Sequence, residues 1–139
     1  MEKKVIQATI HWEAANAAVL AAIRKAEELE QKVSVVVLDR GGHVVAALRS
    51  STSFHTGGVA ENKAYTAISF GMPTSKWADF MKAQSPLVQQ GLPMLPKIAM
   101  FGGGLPIEID GELAGAIGVS GASEEQDAEI ASAGIAAIR

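Results

Sequence analysis

The chain has 139 residues, 48% of them hydrophobic and 19% charged, with a formal net charge of −3 and no cysteine. That length suits one domain over residues 1–139, and the missing thiols exclude disulfides, cysteine nucleophiles and cysteine-held zinc or iron–sulfur sites. No cationic run exceeds Lys3-Lys4, so the clustered positive face that nucleic acid requires is absent, and no apolar run approaches the ~20 residues of a membrane span. No apolar stretch follows Met1-Glu2-Lys3-Lys4, so no secretory signal is expected and a soluble cytoplasmic protein is the expectation. With aromatics at 5%, the core must be built from Ala, Val, Ile and Leu.

The spacing of Trp12, Ala15, Val19, Ala22, Ile23, Ala26 and Leu29 predicts a helix from about Gln7 to Gln31, with Thr9 as its N-cap. Val33 to Leu38 is a β-branched run, too continuous for a half-exposed strand, and reads as a strand buried on both faces. Asp39 to Gly42 turns the chain, and His43 to Leu48 returns as a second strand. Arg49 to Gly58 is polar and glycine-ended, hence a loop. A second helix is expected from Val59 to Phe70, stopped by Gly71 and Pro73. Thr74 or Ser75 caps a short third helix reaching Lys82, with Trp77 and Met81 on one side. Ser85 to Pro96, with three prolines and a glycine, reads as irregular, and Lys97 to Phe101 as a short strand.

Phe101 to Gly121 is the organising stretch. Ile107 and Ile109 alternate with acids, Asp110-Gly111 turns, and Leu113, Ile117 and Val119 resume, which is a hairpin with a type I′ turn. The other face of its second strand carries only Ala114, Ala116, Gly118 and Ser120, so a helix, a ligand or a second subunit can approach the backbone closely. Ser123 with Gln126 at N3 forms a capping box for a last helix that buries Ala131, Ile135 and Ile138. Helices packed on an antiparallel sheet make an α+β domain.

Several motifs occur together in order: Asp39-Arg40-Gly41-Gly42-His43, Lys63-Ala64-Tyr65-Thr66-Ala67, Phe70-Gly71-Met72-Pro73-Thr74-Ser75, Phe101-Gly102-Gly103-Gly104-Leu105-Pro106-Ile107, Gly115 to Gly121, and Glu125-Gln126-Asp127. Each alone is weak. Chained over residues 5 to 139, they resemble the GlcG/HbpS family of haem-binding proteins, also found as the C-terminal domain of PduO-type proteins. The resemblance implies a profilin-like fold, a five-stranded antiparallel sheet with helices on its faces, assembled into dimers or larger homo-oligomers. It also implies haem as a cofactor, although the shared motifs hold no fixed axial ligand. One departure is Glu61-Asn62-Lys63, where the family usually has an acid directly before the lysine, so Glu61 falls on a different helix face.

Haem needs an axial donor, most commonly histidine. His11, His43 and His55 stand alone, none with the second histidine three or four residues on that a zinc motif needs. Each is read first as a surface or capping residue. His55 is the best axial candidate, because Phe54 beside it can flank a planar ring, whereas His43 fits a role in the turn after Asp39. Lys63, on an alanine-rich helix, is read as holding a carboxylate or haem propionate or acting as a base, against the alternative of a lysine extending to solvent and pairing with Glu61 or another acid. Gly102, Gly103 and Gly104 either present amides to an anion or make a bend between strands. Glu124, Glu125 and Asp127 are explained by the favourable field at a helix start. Ser120 lacks the context of a nucleophile elbow.

Three functions follow. The first is a small-molecule-binding homo-oligomer holding haem or another tetrapyrrole in a pocket of Phe54, His55, Lys63 and Gly102–Gly104. The second is an enzyme or accessory factor acting on a small carboxylated or hydroxylated metabolite, with Lys63 as anion clamp or base. The third is a structural or regulatory subunit using the Ala/Gly-faced strand, Leu92 to Leu95 and the Trp77 helix as contact surfaces.

Overall fold

The computed structural model describes residues 1–139. Helix α1 spans Trp12–Glu28 and buries Ala15, Ala18, Val19, Ala22 and Ala26, the stripe expected from their spacing. His11, rather than Thr9, caps it, accepting the Glu13 amide at 3.3 Å. The residues before the helix are tied to other elements. The Ile10 amide donates to Ala114 O at 3.0 Å, and the Thr9 hydroxyl accepts the Arg40 amide at 3.1 Å.

Strands β1 (Ser34–Asp39), β2 (Val44–Arg49), β3 (Gly104–Ile109) and β4 (Glu112–Ser120) form one antiparallel sheet in the order β2-β1-β4-β3. The sheet has four strands, not the five that the resemblance implied. The expected strand at Lys97–Phe101 does not form. Lys97 takes a left-handed φ of 66°, and the Ala99 amide is captured by the Thr66 hydroxyl at 2.9 Å instead of by a neighbouring strand. β1 is buried on both faces as its unbroken apolar run requires, whereas β2 is an exposed edge. At the β3–β4 turn, Asp110 and Gly111 have φ of 53° and 80°, the two positive values a type I′ turn needs.

The other helices are α2 (His55–Phe70), α3 (Trp77–Lys82), α4 (Pro86–Gly91) and α5 (Glu124–Ala136). α2 starts at His55, four residues before the expected Val59, because its first turn is anchored: Thr56 donates to Ser53 O at 2.6 Å and meets the Ser34 hydroxyl at 2.9 Å. Gly71 ends α2 in the left-handed conformation, φ 65°. α4 replaces the irregular segment expected after Ser85. Pro86 occupies the first helical position, where its missing N–H costs nothing, and Ser85 caps the Val88 amide at 3.4 Å. The capping box of α5 forms as expected between Ser123 and Gln126.

α1 and α5 cover one sheet face through Val35, Val37, Ile117 and Val119. α2 covers the other, against Val36, Leu38 and Ala116. It crosses from β1 to β3, with Ala60 over Gly118 of β4 and Lys63 over Gly104 of β3. A Cβ at Gly118 would collide with the Ala60 carbonyl, so the small face of β4 serves close helix packing. Trp77, wholly buried and without an acceptor for its indole N–H, packs edge-to-face on Phe70 and Phe80 at 4.6 and 4.9 Å.

Candidate functional site

Lys63 points from α2 into the interior, with 1% of its surface exposed. Its Nζ donates to Asp127 Oδ2 at 2.8 Å and to Val119 O at 2.9 Å, and lies 4.9 Å from the centre of the Phe101 ring. Asp127 Oδ1 accepts the Ala122 amide at 3.0 Å. Burial pushes the Asp127 carboxyl above its ordinary value; the Lys63 hydrogen bond and charge and the Ala122 amide oppose this without cancelling it, and Glu124 adds a small upward push. A charged pair this deep is held because either member alone would be stranded without solvation.

The three glycines close over this pair. A Cβ at Gly103 would stand 2.8 Å from the Lys63 Nζ and 2.9 Å from the Asp127 Cβ, and one at Gly104 would overlap the Lys63 carbonyl. Two of their amides already have partners: Gly102 N donates to Glu124 Oε1 at 2.8 Å, and Gly104 N to Thr74 Oγ1 at 2.9 Å. The anion held by this loop is thus the protein's own Glu124 carboxylate. Lys63 and Gly102–Gly104 are brought together as expected, but they pack against each other, and none of them lines a cavity.

Phe54 and His55 sit at the start of α2, about 12 Å of helix rise from Lys63. Phe54 is 84% exposed and lines a groove of about 370 Å³ with Leu48, Arg49 and Gly57, while His55 is exposed and lines none. His11 is spent on its cap. His43 lies on the surface with Nδ1 3.5 Å from Asp39 Oδ1, and that carboxylate takes the Gly41 and His43 amides at 2.9 and 3.0 Å to hold the turn. No cluster of three or more His, Asp or Glu side chains converges on a point where a metal ion would sit.

A different region is open. The β1–β2 turn, the last turn of α2 and Leu113 of β4 enclose a groove of about 460 Å³ lined by Arg40, Tyr65, Ile68 and Phe70. Gly42 and Gly71, held at φ of 84° and 65°, leave part of its wall as bare backbone, with open space where a Cβ would stand. On the far side of Tyr65 and Phe70 a second groove of about 360 Å³ continues to Leu95, Pro96 and Ile98. Tyr65 and Phe70 thus form the ridge common to both. The Tyr65 ring carries the Lys97 ammonium 5.4 Å from its centre. Arg40 makes no ion pair. No sequence signal marks this region, since its parts come from three distant segments; in the sequence Tyr65 and Arg40 stand out only as members of motifs.

The family model described as haem degrading protein HbpS-like matches residues 10–136. The chain belongs to the HbpS-like family. A 15.0 kDa protein encoded between dhaT and dhaS in Citrobacter freundii is 36% identical over 128 residues, covering 91% of this chain and 90% of that protein. A double mutant of Streptomyces reticuli HbpS superposes with a TM-score of 0.87 at 32% identity, over 98% of this chain and 91% of that one. A PduOC structure solved as a haem complex superposes with a TM-score of 0.84 at 30% identity, over 94% and 96% of the two chains. The HbpS-like architecture therefore extends over nearly all of the chain. No helix in it is long and apolar enough to cross a membrane.

Proposed function

We propose that the chain is a cytoplasmic, homo-oligomeric small-molecule-binding protein whose ligand is haem or another tetrapyrrole. The observation that carries this is the superposition on PduOC, a family relative whose structure is that of a haem complex. The profilin-like arrangement that the family resemblance implies belongs to the same proposal. A tetrapyrrole site needs an apolar slot, a donor atom for the iron and a cation for the propionates. The open groove offers Ile68, Phe70 and Leu113 as apolar walls, the Tyr65 hydroxyl as an oxygen donor and Arg40 as the cation. Haem supplies a ligand-accepting iron when bound; the protein contributes orientation and a partly water-shielded wall. Exposed Leu87, Met94, Leu95 and Phe101 supply apolar surface for contact between copies.

The groove beside Phe54 is the alternative seat for the same ligand, favoured by the exposure of the Phe54 ring. For metabolite chemistry at Lys63, the ammonium would first have to leave Asp127. Titration with haemin tests the proposal: a Soret band that saturates at an equimolar ratio is expected, and weak, unsaturable association would refute it.

A further inference from the structure

We propose that Tyr65 is the axial iron ligand of haem bound in the open groove, with Arg40 pairing a propionate. This rests on the haem function proposed above and assigns roles within it. Tyr65 is the sole tyrosine of the chain and lines both adjoining grooves. Its hydroxyl has no hydrogen bond to any protein group, so nothing in the fold uses the oxygen. Phenolate oxygen is an established class of haem ligand. The three histidines are placed elsewhere: His11 is a helix cap, His43 sits on the surface beside Asp39, and His55 lines no groove.

The surroundings of Tyr65 match the other demands of a flat, dianionic ligand. Phe70 is locked by its 4.6 Å edge-to-face contact with Trp77, giving a rigid apolar wall. Gly42 and Gly71 leave backbone where a side chain would block a ring. Two cations flank the phenol without acidic partners, Arg40 in the groove and Lys97 over the ring, so a propionate or the phenolate itself meets positive charge. When the bond forms, the phenol gives its proton to solvent, its oxygen donates a pair to ferric iron, and no electron is transferred between protein and iron.

The test is haemin titration of wild type, Tyr65→Phe and Arg40→Ala, read by absorption and resonance Raman spectroscopy. Wild type is expected to saturate at an equimolar ratio with a phenolate-to-iron charge-transfer band and tyrosinate vibrations. Tyr65→Phe, which keeps the ring and hence the packing, loses both signatures and about tenfold in affinity, the equivalent of about 1.4 kcal/mol. Arg40→Ala keeps the tyrosinate signature and binds more weakly. Saturable binding with an unchanged spectrum in Tyr65→Phe overturns the ligand assignment and leaves haem binding standing. Absence of saturable binding by wild type refutes both.

Discussion

Two faces of one helix behave oppositely. On the sheet side of α2, Ala60 and Lys63 press on glycine backbone, and the chemically suggestive groups neutralise one another: Lys63 with Asp127, Glu124 with the Gly102 amide. Toward its C-terminal end, Tyr65 and Phe70 border open grooves, and the Tyr65 hydroxyl and Arg40 guanidinium have no partner within the chain. A buried, fully partnered lysine contributes to the fold; a half-buried phenol whose hydroxyl has no hydrogen-bond partner is free for a ligand. Residue type alone would rank Lys63 and the glycines above Tyr65. Their partners reverse the order.

The sharpest way to break this contrast is Asp127→Ala, which leaves the Lys63 ammonium buried and unpaired and is expected to cost about 3–5 kcal/mol in urea unfolding. Lys63→Met should cost less, because Asp127, already pushed toward its neutral form by burial, can take up a proton when its partner is gone. If both substitutions are near neutral, the closed face is not closed. Gly118→Ala follows, at about 1–3 kcal/mol, since its methyl would collide with the Ala60 carbonyl and lift α2 off the sheet.

The pH dependence of Asp127 sharpens the same side. Its carboxyl pKa is raised on folding, so the folded chain holds the proton to higher pH than the unfolded chain does. The stability of wild type relative to Asp127→Asn should therefore fall as pH rises from about 4 through the raised value, and level off above it. Denaturation of both proteins across that range reads the difference directly, and a difference that grows with pH would contradict burial as the dominant cause. The smallest effect belongs to the open face: Tyr65→Phe should change stability by no more than about 0.5 kcal/mol.

Much of the fold could be read directly from residue pattern. Asp110-Gly111 between alternating runs specified a hairpin, the unbroken Val33–Leu38 run specified a strand covered on both sides, and Ser123 with Gln126 specified a helix start. The errors fell where a tertiary contact overrides local preference. Lys97–Phe101 has strand-like residues, but the Thr66 hydroxyl takes the Ala99 amide. Pro86 reads as a breaker until Ser85 is seen to cap a helix in front of it. The candidate site was harder still. Lys63 was legible as special, but its partner Asp127 lies 64 positions away and was accounted for by the start of its own helix. The open groove joins the Arg40 turn, the end of α2 and Leu113, and no periodicity links these segments.

Paramagnetic broadening of backbone amide signals by bound ferric haem tests the contrast between the two faces most directly. The expected result is loss of signal centred on Gly42, Tyr65, Ser69 and Gly71, with the amides of Gly102, Gly103 and Gly104 and of Asp127 preserved. Broadening centred on Gly102–Gly104, or on Phe54 and His55, with Tyr65 and Gly71 untouched, would contradict it.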